Sequence, residues 1–157
     1  MVVPAIRELI SRQDEAIARL EKAVTPTWNG LVEPLSALSE PLGYAWNVVH
    51  HLLGVRNSPE LRQAQETVEA EVVSASMRIA QSEPVYRAFL ALRDGAGWAT
   101  LDDTQKRIVT ISIRNAEQSG IGLQGAARDR FNAIETELAE LGTRFSNNVL
   151  DASKAYA

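Results

Sequence analysis

A chain of 157 residues is long enough for one domain with a real core. Apolar residues make up 45% of it, the net charge is −4 and no cluster of Lys or Arg stands out. That composition argues against a nucleic-acid platform, which needs a basic stripe, so no nucleic-acid partner is expected. The absence of cysteine excludes disulfides and thiolate metal sites, and no apolar run approaches the ~18 residues of a membrane span.

Glu8, Asp14, Glu15 and Glu21 fall where a transit peptide is poor in acids, and the unbroken apolar stretch of a secretory signal is missing, so the chain reads as cytoplasmic or as already trimmed. Pro4 suits a first helical turn, where its missing N–H costs nothing. Ile6, Leu9, Ile10, Ile17, Leu20 and Val24 then recur at helical spacing, and Thr25-Pro26 ends this first helix near Ala23. Thr27 to Val55 keeps a helical period but carries Pro34 and Pro41. Each interior Pro removes a hydrogen bond and clashes with the carbonyl four residues back, so the segment predicts one bent helix or two short ones, with Ser39 capping a fresh start. Its buried face is Trp28, Leu35, Leu38, Leu42, Trp46, Val49, Leu52 and Leu53.

Asn57-Ser58-Pro59-Glu60 is the clearest start signal in the chain: a Ser cap, Pro at the first helical position, then an acid. The third helix follows to about Ala80, with Leu61, Val68, Val72 and Met77 as its seam. Ser82 caps a fourth, with Val85, Phe89, Leu90 and Leu92 facing in, and it stops before Gly95-Ala96-Gly97. Asp102 with Gln105 forms a capping box for the fifth, which buries Ile108, Ile111 and Ala116 and runs to Ser119. The stretch from Arg107 to Ile113 is rich enough in β-branched residues to suggest a strand, but its flanks are helical.

Gly120 and Gly122 break the pattern, and a long final helix begins at Gln124 or Gly125. Phe131, Ile134, Leu138, Leu141, Phe145, Val149, Ala152 and Tyr156 fall in steps of three and four, which draws one apolar seam down one side. Thirty residues make a rod of about 45 Å, as long as a compact domain of this size, so the other helices should lie along it. The reading is all-α: a single domain over residues 1–157, an elongated bundle of about six helices.

Several motifs have a chemical and a plain reading. Gly120-Ile121-Gly122-Leu123-Gln124-Gly125 matches GxGxxG, but that fingerprint works only directly after a strand, so a glycine-rich helix joint is the better reading. His50 and His51 are adjacent and point about 100° apart on a helix, so they cannot share one metal ion; they read as structural, one buried and bonded, one exposed. Asn147 and Asn148 interrupt the final seam and read as register-fixing or solvent-facing residues. Trp28, Trp46 and Trp98 read as core anchors. No catalytic, cofactor-binding or metal-ligating residue is nominated.

A further signal lies in the ordered series Val2-Val3-Pro4-Ala5-Ile6, Pro26-Thr27-Trp28, Leu31-Val32-Glu33-Pro34-Leu35 and Asn57-Ser58-Pro59-Glu60-Leu61-Arg62. It continues as Gln81-Ser82-Glu83-Pro84-Val85-Tyr86 and as Arg144-Phe145-Ser146-Asn147-Asn148-Val149-Leu150-Asp151-Ala152. Together these resemble the N-terminal helical region of the oligopeptidase A group of thimet-type zinc oligopeptidases, over essentially the whole chain. The resemblance implies an enzyme that cleaves short peptides with zinc held by an HExxH helix and a downstream Glu, none of which is present here. It also implies that this region walls a channel admitting flexible peptides, that its partner is the catalytic domain, fused or separate, and that the chain alone is inactive. The alternatives are a stand-alone helical interaction module and the non-catalytic half of a split peptidase. A domain cut from its catalytic part should expose an apolar face. Asn29-Gly30, Pro41 and Gly142 depart from the family pattern and bear on the straightness of the second and sixth helices.

Overall fold

A computed structural model describes residues 1–156, and among them the chain is all-α, with no strand. Six helices follow in order: α1 (Val2–Ala23), α2 (Glu33–Val55), α3 (Pro59–Ala80), α4 (Glu83–Asp94), α5 (Asp103–Gln118) and α6 (Gly125–Tyr156). The stretch from Arg107 to Ile113 lies inside α5.

α1 buries Ile6, Gln13, Ile17 and Leu20. It lies parallel to α3: Arg7 donates to Glu71, Gln13 Nε2 donates to the Ala75 carbonyl at 3.3 Å and Arg78 donates to Glu21, in the same order along both helices.

The second helical segment departs from expectation at Pro34, which is not interior, and at Ser39, where no new helix starts. Thr27 Oγ1 accepts from the Gly30 amide at 3.0 Å and opens a π-helical turn over Trp28–Val32. Gly30 is required there, because a Cβ would lie 1.9 Å from Thr25 Oγ1 and 2.8 Å from Thr27 Oγ1. The turn feeds directly into α2, so Pro34 sits in a first turn, where it costs nothing, and only Pro41 is interior. Ser39 is no cap: its hydroxyl donates to the Leu35 and Ser36 carbonyls, both at 3.1 Å, inside a continuous helix. The helix survives because Ala37, whose carbonyl loses its donor to Pro41, is exposed and can bond water. Leu42, Val49 and Leu53 are buried, whereas Leu52 is exposed.

The start signals elsewhere are met. Ser58 Oγ accepts from the Leu61 amide at 3.2 Å, and Asp102 and Gln105 form a reciprocal capping box. Ser82 holds the cap position of α4, but its hydroxyl turns away and donates to Glu21 Oε1 at 2.6 Å.

The core has two parts. One joins Ile17, Leu20, Leu31, Phe89, Leu92 and Val109 among others, with Trp28 and Trp98 packed against it. The second joins Ile6, Leu42, Val68, Val72 and Ala75, with Trp46 against it. α5 turns Val109 and Ile113 inward, while Ile108 is exposed and Ile111 and Ala116 are only half-buried. Apolar residues at 108, 109, 111 and 113 allow either face by period alone, and packing on α4 selects one.

The glycine run after α5 is a helix stop. Gly120 has φ 77°, its amide donates to the Glu117 carbonyl at 3.2 Å and the Ile121 amide donates to the Ala116 carbonyl at 3.1 Å. That is the Schellman pairing, which uses a left-handed residue to satisfy the last carbonyls. A Cβ on Gly120 would also lie 2.9 Å from Leu123 Cδ1.

α6, about 48 Å long and unbroken at Gly142, runs antiparallel along the whole of the shorter α3. Its docking face is fixed by polar contacts. Gln81 Nε2 donates to Asn132 Oδ1 at 2.7 Å, Gln65 Nε2 donates to Thr143 Oγ1 at 2.9 Å and Arg62 donates to both oxygens of Asp151. Among the described residues, α6 contributes none to the buried set. The apolar seam expected to form an inward spine therefore faces out: Ile134, Leu138, Leu141, Phe145, Val149 and Tyr156 are all exposed. The back of α3 explains this. It presents Gln65, Glu69 and Gln81, all buried, and an apolar seam laid on them would leave them without partners at about 1–3 kcal/mol each.

Candidate functional site

Two open grooves along α3 and one uncovered face stand out on the bundle. The first groove, of about 490 Å³, lies between α2, α3 and α6 and is lined by Trp46, His50, Gln65, Glu69, Thr143 and Asn147 among others. Glu69 is buried and accepts hydrogen bonds from Thr143 Oγ1 and Gln65 Nε2. Gln65 Oε1 is buried with no hydrogen-bond partner.

The second groove, of about 640 Å³, lies over the far end of α3 and is lined by Glu21, Met77, Arg78, Gln81, Arg128 and Asn132. Arg128 donates to both the side chain and the carbonyl of Gln81, and Gln81 also donates to the Ser119 carbonyl at 2.8 Å, so this corner ties α3, α5 and α6 together. The Glu21 carboxyl is held below the ordinary range, first by hydrogen bonds from Arg78, against the upward pull of partial burial, with the Ser82 hydroxyl adding to the lowering. Apart from Gln65 Oε1, the Gln65, Glu69, Gln81 and Glu21 side chains that line these grooves bond to partners within the bundle.

The residues weighed in the sequence are dispersed. His50 and His51 are both exposed, which corrects the expectation that one is buried and bonded; α2 packs through Leu42, Val49 and Leu53 and leaves both imidazoles outside. His50 instead sets its ring edge-on to Trp46, centroids 5.0 Å apart. Asn147 lines the first groove and Asn148 is exposed. Among the described residues no group of three or more His, Cys, Asp or Glu side chains could hold a metal ion, so the residues present do not fit a catalytic zinc. No helix among them is long and apolar enough to cross a membrane.

The third feature is the face of α6. At 100° per residue, the seam from Phe131 to Tyr156 points about 130° away from the face that carries Asn132, Ala139, Thr143 and Leu150 toward α3. Phe145 is 70% exposed and Leu138 57%, unusual values for large apolar residues in a continuous stripe. Spacing revealed the stripe but not its outward direction.

Comparison with known proteins gives the kinship. The family model described as "Neurolysin/Thimet oligopeptidase, N-terminal domain" matches residues 6–128. The chain is 43% identical over 155 residues to the probable cytosolic oligopeptidase A of Arabidopsis thaliana, covering 99% of this chain and 22% of that protein. It is 42% identical to the organellar (chloroplastic/mitochondrial) oligopeptidase A of the same plant over 99% of this chain and 20% of the relative. It is 40% identical to oligopeptidase A of Escherichia coli K12 over 99% of this chain and 23% of that relative. The chain thus spans about a fifth of the length of the relatives it matches. On this evidence the chain belongs to the neurolysin/thimet oligopeptidase family and corresponds to its N-terminal domain.

Proposed function

We propose that this chain is the N-terminal helical domain of a zinc metallo-oligopeptidase that degrades short peptides, that it forms part of the wall of the substrate channel, and that it hydrolyses nothing without the catalytic portion. The observation that carries the reading is the alignment: almost the whole chain aligns with a relative named as an oligopeptidase, yet only about a fifth of that relative is covered. The two histidines are adjacent, so the chain holds no HExxH, and zinc chemistry belongs to residues outside these 157. The partners in this reading are the catalytic domain and, through it, short peptides. A chain without cysteine suits the reducing cytosol that one relative's name states, while another is named as organellar.

The test is to incubate the isolated chain with zinc and a fluorogenic peptide. Turnover should not rise above a chelated control; metal-dependent cleavage by the chain alone would overturn the reading.

A further inference from the structure

We infer that the outward seam of α6 is the docking surface for the catalytic remainder of the oligopeptidase, and that its occupant is an α-helix of that remainder with a matching apolar stripe. The inference rests on the functional reading above and adds the place and the geometry of the contact.

Four observations lead there. First, the stripe is long and wet: Ile134 38%, Leu138 57%, Leu141 45%, Phe145 70% and Val149 49% exposed, on a helix whose opposite face is already docked. Second, the repeat selects the partner's shape. Phe131, Ile134, Leu138, Leu141 and Phe145 alternate steps of three and four, the 3.5-residue repeat of a helix that accepts knobs from another helix at a shallow angle. The extra step of four to Val149 is a stutter, which locally unwinds such a pairing. Third, Arg130, Glu137 and Arg144 flank the seam on one side at seven-residue intervals, all exposed. They alternate in sign, so a partner helix bearing acid, base, acid at the same interval complements them. Fourth, the relatives align across the seam, and nearly four-fifths of each lies outside the aligned portion, so a full-length relative has ample chain to cover it.

The experiment splices this chain in place of the aligned portion of the Escherichia coli oligopeptidase A. Leu138→Glu with Phe145→Glu is then compared in the chimera and in the isolated chain, and Leu138→Met with Phe145→Leu serves as the conservative pair. In the isolated chain the double Glu variant should keep its helix content and melting temperature, because both side chains already meet water. In the chimera it should lower the melting temperature by about 5 °C or more, while the conservative pair stays close to the parent. In the unsubstituted chimera, amide exchange along α6 should slow by about tenfold or more relative to the isolated chain.

The inference is overturned if α6 exchanges equally fast in both settings, if the double Glu chimera melts with its parent, or if the chimera does not fold where the relative does. It is also overturned if the isolated chain forms a dimer that the double Glu variant dissolves while the chimera is indifferent, which assigns the face to a second copy. A chimera with a protected α6 that cleaves no peptide refutes the functional reading and leaves the surface standing.

Discussion

Arg62, in the first turn of α3, grips Asp151, near the end of α6, with Nη1 and Nη2 at 2.7 and 2.6 Å from its two carboxylate oxygens. The same guanidinium donates through Nε to Asn57 Oδ1 at 2.6 Å, and Asn57 donates to the Leu53 carbonyl at the end of α2. One side chain therefore links the end of α2, the start of α3 and the end of α6. The hydrogen bonds from Arg62 hold the Asp151 carboxyl below the usual range. Arg62→Ala should lower the global melting temperature only slightly, since the Asp151 end of the pair is open to water and such pairs contribute little. It should speed amide exchange in the last two turns of α6, and exchange followed by mass spectrometry reads both ends of the helix at once.

Thr143 tests the polar seam that carries α6. Its hydroxyl and Gln65 Nε2 are the donors to the buried Glu69 carboxylate. Thr143→Val keeps the shape and removes one donor, leaving a buried carboxylate short of a partner. It should cost about 1–3 kcal/mol in denaturant unfolding, and Thr143→Ser should restore most of it.

Ile17 and Leu138 look alike in the sequence, each an apolar residue on a helical stripe. Ile17 is 0% exposed and Leu138 57%. Ile17→Ala should cost about 2–5 kcal/mol through lost burial and the cavity it leaves. Leu138→Ala in the isolated chain should stay within about 0.5 kcal/mol. Equal losses at both sites would mean that the seam packs inward.

Glu21 ties acid stability to the α1–α3 contact. Its pKa is lowered in the fold by Arg78 first and by Ser82 as well, against the opposing effect of partial burial. A carboxylate so depressed contributes stability that is complete above its unfolded-state pKa of about 4.3 and is lost as the pH falls through the lower folded value. Glu21→Gln should therefore be less stable than the parent at pH 7, by about 1 kcal/mol once the exposure of Arg78 is discounted. The gap should close as the pH falls below about 4, and melts taken at intervals from pH 7 to pH 3 measure it.

Much of the fold was legible in the sequence because it is written in local chemistry. Ser58-Pro59-Glu60 and the Asp102–Gln105 box mark helix starts by what their side chains do to nearby amides, and those bonds are present. Gly120 marks a stop because only a left-handed backbone satisfies the final carbonyls of α5. Even at Pro41 the period outlasts the break, since an exposed carbonyl can bond water. The ordered series of motifs also carried the family, which needs no third dimension.

The direction of each stripe was settled only by the tertiary structure. Val109 and Ile113 displaced Ile108 from the core because α4 presents its buried face to them. On α6 the displacement was complete. A repeat of three and four residues shows that a helix has an apolar side, but not whether that side is covered within the same chain. Gln65, Glu69 and Gln81 on α3 required hydrogen-bonding partners, the other face of α6 supplied them, and the apolar seam was left facing solvent.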